Sequence, residues 1–396
     1  MTDRRVQGLL ARLHELRPYA KTAEDIACNV NWLVSEGCHT WFHDSGSLGA
    51  ALGPGDYAEF ISGLAGRCPH TALGFSMHAY TVRGLWPVLS ESQQAFLRAR
   101  IEGEGALLGA LNDPNLYFIR PSGLDFGSFP LRARPAEDGS GGYRLSGTKK
   151  FVSLEPFVSY LPLYALAEEK GGQKRIVILL IDKNRDSVIR AEDWDSIAMG
   201  GTFSNSLSFE DAYIPQERVI YEGAGAFSET ALLAYWYRLS KASVYLGMAR
   251  LAMEQAETAC RSQKVPHTGR SLAFFPGVQF TLAEMVVLVE TSLSQIARLC
   301  TLMDGCMQKP ADAAARDRET NVCSLVTMQY VLKASESVVN LAMKIAGVSS
   351  LSSGHTLSSL YTDVKAGQFH APQADIAAEL IAKDKLGIVP VRSRWV

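Results

Sequence analysis

The side chains with chemical potential in this chain are few. Imidazole ordinarily titrates close to neutral pH, so a histidine can hold or release a proton under working conditions. Two of the eight histidines stand in aromatic-rich strings: His370, in Gln368-Phe369-His370-Ala371-Pro372, and His78, in Phe75-Ser76-Met77-His78-Ala79-Tyr80. His78 reads equally well as a helix histidine packed between subdomains. Trp236-Tyr237-Arg238 sets an aromatic pair beside a guanidinium, although a phenol of ordinary pKa, about 10, is a poor base at neutral pH. Phe151 and Ser153 lie on the same face of one strand. Cys38, His39 and His43 make a corner of ligand-type residues, but no second cluster answers them and no metal site is expected. The seven cysteines are scattered and include no CxxC, which fits reduced, mostly buried thiols better than a disulfide scaffold.

Three successive stretches of chain, helical, strand-like and helical again, must position these groups. From Arg4 to about Leu107, apolar residues recur at helical spacing in VQGLLARLHEL, DYAEFISGLAG and SQQAFLRARIEGEGALL. Residues 109–220 are rich in glycine, proline and short alternating runs such as YRLSGTKKFVS, RIVILLID and NSLSFEDAYI, which fit strands. The stretch Trp194–Pro215 joins a small-residue Gly-Gly-Thr turn to an alternating strand. Helical texture returns after Gly225 in four segments: Glu229–Arg261, Gln279–Met307, Ala315–Ile345 and Ala374–Leu386. With no sustained heptad, helices of this length predict a bundle rather than a coiled coil. The reading is α+β: an all-α domain over 1–108, an antiparallel β-domain over 109–220 and a four-helix bundle over 221–396. A net charge of −2 and the lack of basic runs interleaved with aromatics argue against nucleic acid. No stretch reads as a bilayer span or a signal peptide, so no membrane association and a cytoplasmic location are expected.

This order of domains, with its motifs, resembles the acyl-CoA dehydrogenase superfamily over nearly the whole chain. The resemblance is carried by Ala110-Leu111-Asn112-Asp113-Pro114, Gly147–Ser153, Met199–Ser204, Leu246-Gly247-Met248-Ala249, Val278–Met285 and Leu360-Tyr361-Thr362-Asp363. It implies FAD at the seam between β-domain and bundle. Phe151 would pack on the isoalloxazine, the Ser153 hydroxyl would reach the flavin edge, and Asn112 would line its pyrimidine side. Arg261 would serve the adenosine end, and Gly347 the loop near the dinucleotide. A flat apolar ring system needs such an aromatic wall and a few fixed hydrogen-bonding groups. The same resemblance implies a homotetramer or homodimer.

Departures from the family pattern are as informative. Family dehydrogenases use a glutamate to take a proton from an acyl thioester. Its two locations here hold Ala371 and Tyr237. The glycine-rich loop is Lys344-Ile345-Ala346-Gly347-Val348-Ser349-Ser350, with a β-branched residue at a glycine position, which leaves FMN as the alternative to FAD. Gln368–Pro372 resembles a histidine turn of flavin monooxygenases on this fold, so His370, Tyr237 and His78 are the catalytic candidates. Trp236 and Arg238 are candidates to line the substrate pocket, and Glu229 is a displaced carboxylate or a solvated helix start. The expected function is oxidation of an acyl thioester carried by CoA or a carrier protein, in a biosynthetic role; the alternatives are a monooxygenase using reduced flavin and O2, with a flavin reductase as possible partner, and a non-catalytic subunit.

Overall fold

The computed structural model describes residues 3–45, 49–111, 129–137, 141–168, 172, 174–223, 231–307 and 313–388. Five helices come first: α1 (Arg4–Arg12), α2 (Ala23–Ser35), α3 (Pro54–Ala65), α4 (Pro69–Leu85) and α5 (Glu91–Glu104). Local chemistry sets their ends. Thr22 caps α2 by accepting from the Asp25 N–H, and α5 opens with a Ser90–Gln93 capping box and closes on left-handed Gly105. Nearly all of α4 is buried, so it is the axial helix of this domain rather than an amphipathic surface one.

Strands follow: β1 (Leu107–Leu108), β2 (Leu131–Pro135), β3 (Tyr143–Val152), β4 (Val158–Glu168), β5 (Lys174–Asp182), β6 (Val188–Ala191), β7 (Asn205–Ile214) and β8 (Val219–Gly223). They form one sheet in the order β6-β7-β3-β2-β4-β5-β8, with β1 on β4. Pairing is antiparallel except for β1 and β2 on β4, which are parallel, so the sheet is mixed where the sequence suggested an antiparallel one. β4 and β5 are buried almost throughout because both of their faces are covered.

The C-terminal region contains α6 (Ala231–Ser262), α7 (Pro276–Met307), α8 (Ala313–Ala346), α9 (Thr356–Asp363) and α10 (Ala374–Leu386). α6 is its axis and packs on α3 and α4 as well as on α7 and α8. Gly247 permits the α3 contact, since a Cβ there would collide with the Ser62 carbonyl and lie 2.6 Å from Ala65 Cβ. α7 corrects one expectation. Over 18 residues its mean hydropathy reaches 1.3, enough to cross a membrane by length and composition. Its buried residues Thr281, Met285, Val289, Ser292, Ile296 and Leu299 recur every three or four positions, as on a bundle helix packed on one side.

Candidate functional site

α6 carries a ladder of polar side chains on one face. Tyr237, Lys241 and Tyr245 follow at four-residue spacing, so they stack one turn above the next. Lys241 is completely buried. Its Nζ lies 3.5 Å from Ser76 Oγ and 3.8 Å from Met77 Sδ, both on α4, and 5.1 Å from the centre of the Tyr237 ring. The Ser76 hydroxyl donates to the Leu73 carbonyl, leaving only a lone pair for the amine. No carboxylate pairs with Lys241 among the described residues. Burial without a counter-ion brings its pKa down to about 7.

Tyr245 meets His370. Its Oη lies 3.0 Å from His370 Nε2, with the rings edge to face at 5.6 Å. Burial and then the nearby Lys241 charge push His370 well below its usual pKa, so the imidazole is neutral. Burial also pushes the Tyr245 phenol well up, so it keeps its proton. The turn carrying His370 is pinned to α8: Gln329 Nε2 donates to the Pro372 carbonyl (3.1 Å) and Gln368 to Glu336 (3.2 Å). A Cβ on Gly367 would press on Leu332 at 3.0 Å and on the Tyr245 ring at 3.1 Å, so a larger residue there would require these neighbours to shift.

Seven residues before His370, Asp363 makes a second buried cluster. It accepts from Tyr19 Oη (2.6 Å), His70 Nε2 (2.9 Å) and the Met199 N–H (2.5 Å), tying together all three regions of the chain. Burial pushes its carboxyl up, but these donors outweigh burial and hold it below the usual carboxylate range. From Met199 a run of hydroxyls crosses into the β-domain. Thr202 Oγ1 donates to the Met199 carbonyl and meets Ser204, which lies 2.9 Å from Ser153 Oγ.

Beside Ser153 the β3–β7 register slips between Lys149 and Val152. Phe151 sits at this bulge with φ 62°, and its ring is 65% exposed. A bulge re-aims a side chain, and a left-handed phenylalanine is held there against a conformational cost. An exposed aromatic ring next to fixed hydroxyls is the donor set that a flat, partly polar tricyclic ring would use, and the residues present fit a flavin.

The other candidates fall elsewhere. His78 is not free for catalysis: Nδ1 accepts from the Leu108 N–H (3.0 Å) and Nε2 donates to the His39 carbonyl (2.8 Å). With both nitrogens committed to backbone, and burial bringing its pKa to about 3, it is a neutral tether. Arg238 turns away from the ladder and is buried in the bundle, where it donates to Asn321 (2.7 Å) and Ser324 (2.8 Å). Trp236 packs edge-on against Tyr57 at 5.0 Å under the Arg83 guanidinium, a core position. Arg261 is exposed and paired with Glu257; Gly347 is left-handed with open space around it, and Val348 beside it is 84% exposed. Asn112 and Glu229 lie outside the described residues. His39 Nε2 donates to the Ile101 carbonyl (3.0 Å) and His43 stacks on Trp86, and no group of ligand-type residues able to hold a metal occurs among the described residues. Sequence reasoning missed Lys241 and Tyr245. The signal was available: a lone lysine inside the apolar run LSKASVYLG, one turn after Tyr237.

Residues 229–386 match the family described as acyl-CoA dehydrogenase, C-terminal domain. Over 346 residues the chain is 23% identical to L-evernosamine nitrososynthase of a Micromonospora species, covering 84% of this chain and 77% of the relative. Among solved structures, KijD3 in complex with FMN and dTDP-3-amino-2,3,6-trideoxy-4-keto-3-methyl-D-glucose superimposes with a TM-score of 0.83 at 21% identity, covering 98% of this chain and 95% of that one. TdsC from Paenibacillus sp. A11-2 with FMN and indole gives 0.86 at 18% identity, with both chains fully covered.

Proposed function

This chain is a member of the acyl-CoA dehydrogenase superfamily, and on that premise we propose that it is a flavin-dependent monooxygenase that oxygenates an electron-rich heteroatom, first of all an amine nitrogen. One observation carries the reading: both positions for a proton-taking glutamate lack a carboxylate, holding Tyr237 and Ala371, while a neutral His370 stands next to Ala371, bonded to Tyr245. Phe151 and Ser153 would hold the flavin. Reduced flavin bound there would supply activation of O2 and transfer of one oxygen atom, the other leaving as water. Its electrons would come from a separate flavin reductase. FMN is favoured over FAD because Val348 occupies a glycine position of the dinucleotide loop and because KijD3 and TdsC carry FMN. The amine preference draws on the nitrososynthase relative and on the amino sugar in the KijD3 complex. His370 would hold a proton at the seam, and Tyr245 would orient its ring. Exposed Phe274, Phe280 and Val287 at the α6–α7 connection and on α7 support a homo-oligomer.

A thioester dehydrogenase is the second reading, favoured by Lys241. Its amine, with a pKa of about 7, lies one turn from Tyr237 and takes a proton when neutral. The two separate cleanly. With FMN, a flavin reductase and O2, an amino-sugar nucleotide should gain an oxygen atom by mass, and an anaerobic panel of acyl-CoA thioesters should leave the flavin oxidised. Bleaching by a thioester without O2 would establish the second reading, and a protein that takes up neither flavin would defeat both. His370→Ala should retain flavin and lose at least about tenfold in turnover.

A further inference from the structure

We propose that Thr202 and Ser204 are positioning residues that fix the direction of the Ser153 hydroxyl: it donates inward to Ser204 and presents only lone pairs to the seam, so it accepts a hydrogen bond from a reduced flavin and gives none to an oxidised one. The proposal rests on the reading above that Ser153 faces the flavin edge.

Proton bookkeeping along the hydroxyl run gives the direction. Each hydroxyl has one proton to donate and two lone pairs. Two oxygens held at hydrogen-bonding distance need a proton between them, because facing lone pairs repel. Thr202 Oγ1 lies 2.8 Å from the Met199 carbonyl oxygen, which has no proton, so the Thr202 proton is spent there. Thr202 Oγ1 also lies 2.8 Å from Ser204 Oγ, and in that contact Ser204 must donate. Ser204 Oγ lies 2.9 Å from Ser153 Oγ, and by the same count the proton between them is Ser153's own. No other hydrogen bond engages these three hydroxyls among the described residues. Thr202 and Ser204 are buried and Ser153 is partly exposed, so the run is closed at its inner end and open at Ser153.

The backbone keeps the run from turning round. Asp363 holds the Met199 N–H at 2.5 Å. Thr202 returns its own carbonyl to the Leu154 N–H at 2.6 Å, next to Ser153, and Trp194 Nε1 donates to the Gly200 carbonyl at 3.0 Å. A Cβ on Gly201 would lie 2.6 Å from His70 Nδ1 and 2.9 Å from Lys21 Cα, so this turn sits flush against the N-terminal region. Met199, Phe203 and Leu154 are left-handed, with φ of 54°, 44° and 54°. Non-glycine residues persist in that conformation where their surroundings over-determine them. Flavin N5 carries a lone pair when oxidised and an N–H when reduced. A Ser153 that offers only lone pairs repels the first and bonds the second, which matches the redox state the monooxygenase reading requires.

Dissociation constants of oxidised FMN and, anaerobically, of dithionite-reduced FMN test this on the full chain. In Ser204→Ala the Ser153 proton is released toward the seam. Oxidised FMN should then bind more tightly than to wild type, and the preference for reduced FMN should fall about tenfold, the worth of one hydrogen bond; that fall lowers the midpoint potential of bound flavin by about 30 mV. A merely structural loss weakens both states alike. Thr202→Val frees the Ser204 proton for Ser153 and should shift the preference the same way, and it decides if Ser204→Ala does not fold. Ser153→Ala should weaken reduced FMN and leave oxidised FMN unchanged or tighter. Flavin uptake with an unchanged preference in Ser204→Ala, or a Ser153→Ala variant that weakens oxidised FMN more than reduced, overturns the proposal and leaves the flavin reading standing. A wild-type protein that takes up neither state defeats that reading and the proposal with it.

Discussion

Asp363 and His370 are seven residues apart, yet they anchor two buried polar clusters of opposite character. Asp363 is saturated by a phenol and an imidazole from the N-terminal helical region and a backbone N–H from the β-region. Among the described residues the His370 cluster is under-satisfied, with a buried lysine lacking a carboxylate and an imidazole using one of its two ring nitrogens. A fully engaged polar network rigidifies and specifies a fold, whereas an incompletely engaged one carries a standing cost that makes sense only at a site awaiting another group. His78 belongs with Asp363 in this division: its surroundings look catalytic in sequence, but both of its nitrogens are used by the backbone.

The contrast breaks first at Asp363. Asp363→Ala strands three donors and should destabilise the protein by about 3 kcal/mol in urea unfolding at pH 7. Because the folded carboxyl sits below its unfolded value, the stability it contributes is present above the ordinary aspartate range and is lost as pH falls through the folded pKa. The wild type should therefore lose stability in acid more steeply than the variant. An unchanged melting temperature would remove Asp363 from the structural role.

Lys241→Met should act in the opposite direction. The folded amine titrates near about 7, against 10.5 as its reference value, so the unfolded chain binds more protons between those values. The cost of burying the charge is then full below pH 7 and fades as pH rises toward 10.5. The variant should be more stable than wild type by about 2 kcal/mol at pH 6, with the gain shrinking by pH 10. Unfolding curves at both pH values check the sign, and a variant less stable at pH 6 would mean that the amine has a partner that compensates its burial.

Phe151→Gly makes the smallest change and sharpens the distinction further. It relieves a left-handed phenylalanine and removes an exposed ring, so stability should hold or rise by about 1 kcal/mol. FMN affinity, read by flavin fluorescence, should fall roughly tenfold, the worth of one aromatic contact. Retained affinity would take Phe151 out of the flavin wall.

Much of the architecture was legible in the sequence. The predicted helix Ala374–Leu386 coincides with α10, and Gln279–Met307 lies within α7, Pro276–Met307, because periodicity and proline placement are local signals. The α7 span shows the limit of such signals: its hydropathy alone suits a membrane, and only its packing on α6 and α8 marks it as a bundle helix. For the site, sequence pointed to His370, Phe151 and Ser153 through motif likeness, and it placed His78, Arg238 and Trp236 alongside them while leaving open a packed-helix role for His78 and a core role for Trp236.

Composition and periodicity, which each residue carries with it, were enough to predict helices, then strands, then long helices, while the lack of a glutamate at either base position is legible only through the family resemblance. Tertiary structure decided which polar groups are spent and which are open. That depends on partners tens to hundreds of residues away: Tyr19 and Asp363 lie 344 positions apart, and Tyr245 and His370 lie 125 apart. A side chain's charge state follows from what surrounds it in space, so a lysine that reads as an ordinary cation in the sequence becomes, once α4 closes over it, an amine with a pKa of about 7 and no carboxylate partner among the described residues.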